Sequence, residues 1–295
     1  MVLESLFGPK KAERKPWDLF LLGLIYASIG TFLGLWIFKN QASLVMVFLT
    51  VIAAVPLMYK TIKYEEKKDH LQLKESALLK RHSKALVAFM FLFFGFLVAF
   101  SVWYLVLPDK LLQVTFSSQI QTIRDINGQT IFGTLTPAAI SVGGAATSAG
   151  SLFLQILSNN LKVMLFCIFF SFFYGAGAIF ILTWNASVIG AAIGGVLRDK
   201  IYEVFHTAGF SSLVTHFYLF PYGLMKYMTH GIFEIGGYFA AGLAGGIISV
   251  AVVNHSLGSD HFKRTFNDSL AIIFLAILLL VVGALVEVYI THVIF

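Results

Sequence analysis

"YMTHGIFEIGGYFAAGLAGG", residues 227–246, decides how this chain is built. His230 and Glu234 stand four positions apart at the start of an apolar run crowded with glycine and alanine. Positions i and i+4 of an α-helix share a face, so the imidazole and the carboxylate lie on one side of any helix formed here. A helix needs about 20 apolar residues to cross a bilayer, and 230–253 supplies them. Upstream, Pro221-Tyr222-Gly223 predicts a break, with a short re-entrant or tilted half-helix over 209–228 leading into the span.

The rest of the chain has the same character. Of its 295 residues 58% are hydrophobic and only 12% are charged, about half the charged share of an ordinary soluble domain. Such a chain cannot cover its surface with polar groups, so its solvent is lipid. Further apolar runs at Trp17–Phe38, Ala42–Tyr59, Ala85–Leu107, Leu161–Trp184 and Leu270–His292 are also long enough to span. The pattern predicts an all-α fold, a polytopic transmembrane helical bundle of about six spans plus one or two short re-entrant or interfacial helices. "SLFLQILSNN" (151–160) reads as an interfacial helix, and "NASVIGAAIGGVL" (185–197) is too short to cross alone.

Three regions follow. Residues 1–107 form a three-span part with a charged helical hairpin at 60–84, 108–158 an extracytoplasmic loop with a turn signal at Asn127-Gly128, and 159–295 the C-terminal membrane region. With six spans, 15 of the 21 Lys and Arg residues fall on the side holding both termini. The excess of basic residues in cytoplasmic loops then predicts a multi-pass plasma-membrane protein with both termini in the cytoplasm. The lipid bilayer is the expected partner, together with a second copy of the chain or another membrane protein. The net charge of +6 lies beside the spans, so no nucleic acid is expected. One cysteine, Cys167, excludes an intramolecular disulfide.

Several residues could carry function. Gly237, Ala241 and Gly245 recur at steps of four, as do Gly242 with Gly246 and Gly190 with Gly194. Small side chains on one face let another helix come close, so these are expected packing positions. His230 and Glu234 are either a proton or cation site or a polar clasp near the start of the span. Asn160 and Asn185 flank the fourth span and join His230 and Glu234 as candidate polar-site residues: capping suffices to explain Asn160, whereas the amide of Asn185, beside Trp184, could also pair with a neighbouring helix. Glu287 lies near the end of the last span, where it can reach water. His-Glu-x-x-His, a Gly-x-Ser-x-Gly elbow and a phosphate-binding glycine loop are all missing from the sequence, and no cofactor is expected.

Taken together, "NNLKVMLFCIFFSFFYGAGAIFILTWNASVIGAAIGG" (159–195) and "THGIFEIGGYFAAGLAGG" (229–246) resemble the stage II sporulation protein M family. The resemblance rests on Asn159, Asn160, Gly175, Asn185, His230, Gly231 and Glu234, with Ala186 and Thr229 departing from the usual Gly and Pro. It implies an integral membrane protein, with members in spore formers resembling anchors that recruit wall hydrolases. Three functions remain open at this point: a non-enzymatic protein that organises a membrane complex or remodels membrane, a transporter or channel using His230 and Glu234, and an intramembrane metal-dependent hydrolase.

Overall fold

A bilayer offers no water to backbone amides, so a spanning segment must satisfy them internally, and a helix does so within one segment. The structure, a computed structural model, describes residues 14–68, 78–124, 144–172, 176–208, 219–254 and 259–291. Among these, nearly all are helical and none is in a strand. The long helices are α1 (Pro16–Ile37), α2 (Ala42–Lys68) and α3 (Leu78–Val106). After the short α4 (Asp109–Thr115) come α5 (Gly144–Phe172), α6 (Ala176–Ala208), α7 (Leu219–Asn254) and α8 (Asp260–Val286), which ends in a π-turn at Glu287–Thr291. All but α4 are long and apolar enough to cross a membrane, which makes seven among the described residues. The chain is an all-α helical bundle.

The glycine contacts show which way each helix runs. A Cβ on Gly34 would press on Met46, and one on Gly30 on Thr50, so α1 and α2 are antiparallel. Gly190 faces Phe100 and Gly194 faces Tyr104, so α6 runs parallel to α3. Gly237 meets Ala276 and Leu280, whereas Gly283 meets Glu234, which sets α8 against α7 head to tail. Directions alternate along the chain. The start of α1 and the end of the π-turn therefore lie at opposite ends of the bundle, called here the near end and the far end.

That is one span more than the apolar runs predict, and the reason is local. Leu161–Trp184 is divided between two helices, α5 ending at Phe172 and α6 starting at Ala176. The supposed interfacial piece 151–160 lies in the middle of α5, and 185–197 lies within α6. Likewise α7 runs unbroken through Pro221–Gly223. The proline occupies the first turn, where its missing N–H has no intrahelical acceptor to lose. The expected break is a helix start. The Asn127-Gly128 turn lies outside the described residues.

One core serves the whole bundle. Phe89, Phe93, Phe96 and Phe100 are all buried along one face of α3, and Phe239 of α7 stacks on Phe89 with ring centroids 5.5 Å apart. At the near end His82 Nδ1 lies 2.7 Å from Glu65 Oε2, both buried, so part of the charged 60–84 stretch is packed rather than solvated. At the far end Arg198 closes α3. It donates to the Leu107 carbonyl at 2.7 Å and to Asp109 Oδ1 at 2.6 Å. Gln119 crosses the same end, donating to the Ser43 carbonyl and the Ser187 hydroxyl.

Candidate functional site

The helices differ sharply in how far they are enclosed. Of α7's membrane window 72% is buried, against 17% for that of α5. α7 is central, and it meets several neighbours through residues too small to hold them off. Gly242 packs on Ala178 of α6, Gly245 on the Ile168 backbone of α5, Gly246 on Ile62 of α2, and Gly237 on α8. Ala241 is fully buried among them. On α6, Gly190 and Gly194 seat the side chains of Phe100 and Tyr104. An added Cβ at Gly245 would stand 2.7 Å from the Ile168 carbonyl oxygen, closer than van der Waals packing allows.

Because α5 and α7 run side by side in the same direction, they bring Asn160 level with Glu234 and Tyr238. Asn160 Nδ2 donates to Glu234 Oε1 at 2.5 Å, and the Tyr238 hydroxyl donates to Asn160 Oδ1 at 2.7 Å. The amide thus uses both of its ends, which fixes its orientation. Asn160 and Tyr238 are buried, and Glu234 is partly so. Asn160 is the twelfth of the 24 residues Ala149–Phe172, at their middle, while in Tyr227–Asn254 Tyr238 is the twelfth of 28 and Glu234, nearer the far end, the eighth.

α8 completes the surroundings. Gly283 leaves room for Glu234, since a Cβ there would lie 3.0 Å from Glu234 Cγ. One turn further along the same face stands Glu287, close enough to act on Glu234 electrostatically. Glu287 opens the π-turn, a kind of irregularity often found at functional sites. His230, one turn before Glu234, sets its Nδ1 3.3 Å from the Thr291 hydroxyl at the end of that turn.

The predicted site residues therefore part company in one respect. Asn160, His230 and Glu234 gather where α5, α7 and α8 meet. Asn185 sits partly buried within an uninterrupted α6, and the amide bonded to Glu234 is that of Asn160. Sequence reasoning missed Tyr238 and Thr291 and gave Glu287 only to water. Tyr238 follows Glu234 by four and so shares its face, a signal present in the sequence. Among the described residues no three His, Cys, Asp or Glu side chains come together to hold a metal ion. What the cluster can do is bind helices through buried polar contacts, or seat a small cation between two carboxylates.

No curated protein and no solved structure matches the chain. The profile of the family described as stage II sporulation protein M matches residues 85–292, from α3 to the end of the π-turn and including every member of the cluster. This is well over half of the 295 residues, and the chain belongs to that family.

Proposed function

We propose that this is a non-enzymatic, multi-pass plasma-membrane protein that organises a membrane complex or remodels the bilayer, and that Asn160, Glu234 and Tyr238 form the clasp holding α5 in place. The observation that carries this reading is the amide of Asn160, bonded at both its nitrogen and its oxygen to partners from α7 in the middle of a helix that is otherwise little enclosed. Buried polar groups bonded across a helix pair in this way favour one packing. Sidedness follows from charge. By chain order the near end holds 14 of the 21 Lys and Arg residues: those before α1, those of 60–84, Lys263 and Arg264. That end is cytoplasmic by the positive-inside rule, so the chain starts in the cytoplasm and finishes outside.

A second reading, transport of a proton or small cation at His230 and Glu234, is favoured by Glu287 standing beside Glu234. Ionisable groups inside a membrane often mark ion pathways. One experiment separates the two. A tagged copy solubilised in mild detergent should bring down the same membrane protein in fixed ratio, and purified protein in proteoliposomes should pass no cations under a pH gradient. Flux that Glu234→Gln abolishes, with no partner recovered, overturns the first reading in favour of the second.

A further inference from the structure

The side of α5 turned away from the clasp is not the side a membrane helix should show to lipid. Gln155, Ser158, Asn159 and Lys162 are all exposed, and their spacing of i, i+3, i+4 and i+7 puts them on one face. They lie within the membrane window Ala149–Phe172. Lys162 is the fourteenth of its 24 residues, just past the middle. A lysine at that depth facing acyl chains is costly unless an anion or water meets it. α5 itself contains no Asp or Glu.

We infer that this ridge binds the phosphate headgroup of a phospholipid, drawn below the usual headgroup level from the leaflet at the far end. Three features of the face point to that occupant. All four side chains supply hydrogen-bond donors, one of them cationic, which matches the oxygens of a phosphodiester. Helical side chains lean toward the N-terminus, and the N-terminus of α5 is at the far end. Lys162 therefore reaches back over Ser158 and Asn159 toward that leaflet, while the ridge up to Gln155 rises about 10 Å at 1.5 Å per residue. Beyond Lys162 the exposed residues turn apolar, through Leu165, Phe166, Phe169 and Phe170. A lipid whose head rests on the ridge lays its acyl chains along them. A second copy fits less well, because a two-fold axis along the membrane normal that pairs the two ridges sets one Lys162 against the other in a medium that screens charge poorly.

The site is separate from the clasp, since Asn160 points the opposite way, so either can fail alone. The test uses the full chain purified in mild detergent and native mass spectrometry, titrated with phosphatidylglycerol and, in parallel, with diacylglycerol of the same chains. The wild type should retain phosphatidylglycerol and not diacylglycerol. Lys162→Leu should weaken retention about tenfold, the scale of one charged hydrogen bond, and Lys162→Arg should keep it. Neither substitution should alter the melting temperature, because leucine suits a lipid-facing position. Asn159→Leu, which leaves the cation in place, should weaken retention less. Equal retention by wild type and Lys162→Leu, or equal retention of the two lipids, refutes the proposal. So does a wild-type dimer that Lys162→Leu converts to monomer, which would assign the ridge to a second copy.

Discussion

Replacing Asn160 with leucine tests the clasp most directly. The substitution keeps the branching and the number of heavy atoms, in a somewhat larger side chain, and removes both bonds, the one to Glu234 Oε1 at 2.5 Å and the one from the Tyr238 hydroxyl at 2.7 Å. Hydrogen bonds between membrane helices are worth ~0.6 kcal/mol on average and up to ~1.7 kcal/mol. A carboxylate acceptor puts the first bond at the upper end, so the pair accounts for ~2 kcal/mol. The partners left behind add to this, since Glu234 and Tyr238 would be stranded on a central helix; the expected total is ~2–3 kcal/mol. Tyr238→Phe removes only the weaker bond and should cost ~0.5–1 kcal/mol. The double variant should be no less stable than Asn160→Leu alone, because the phenol has nothing left to lose. Reversible unfolding in mixed micelles of dodecylmaltoside and dodecyl sulfate measures all four corners of the cycle. If Asn160→Leu lies within ~0.5 kcal/mol of the wild type, or if the two single effects simply add, the cluster is not a clasp.

Three other outcomes are expected. Gly95→Ala should lower stability by ~1–3 kcal/mol in the same micelle assay, because its Cβ would collide with the Phe20 carbonyl where α1 crosses α3, whereas Gly150→Ala, with nothing within 4 Å, should be neutral or mildly stabilising. Arg198→Met should destabilise by ~1–2 kcal/mol by uncapping α3, and Asp109→Asn by ~0.5 kcal/mol at most, since that carboxylate is 85% exposed; equal losses would mean that the ion pair, not the cap, matters. Finally, reporters that are active on only one side of the membrane, fused in turn to each terminus, should report opposite sides, and the same side for both would exclude seven crossings.

Where the sequence was readable, each element announced itself by contrast. α1, α2, α3 and α8 are apolar runs marked off by charge, and each covers nearly all of its expected span, although α2 runs on to Lys68, α3 starts as early as Leu78 and α8 at Asp260. The α5–α6 junction had no such boundary. "FFSFFYGAGAIF" (169–180) is uncharged throughout, so no charged residue marks where α5 gives way to α6. Pro221 misled for the opposite reason: a proline reads as a break wherever it stands, yet in a first turn it costs almost nothing. His230, Glu234 and Asn160 stood out as polar residues in apolar surroundings. Tyr238 did not, because an aromatic in a membrane helix is ordinary until its hydroxyl is seen to have a partner. Glu287 could be placed only by the packing of α8 on α7.

The case of 151–162 is the most instructive, because its pattern was visible and its meaning was not. Polar residues recur there on a single helical face, and in a ten-residue helix that signature means an interface, with the polar side in water. The same residues acquire another meaning once the helix continues to Phe172. A helix of 29 residues is about 43 Å long at 1.5 Å per residue, enough to cross a hydrocarbon core of about 30 Å with length to spare. It cannot lie flat at its first half and cross with its second without a kink, and α5 has no proline to make one. The polar face is therefore carried down into the bilayer along with the rest of the helix. Once there, it must find a polar occupant or draw water toward the middle of the membrane, and the buried Asn160 on the other side holds it in that position.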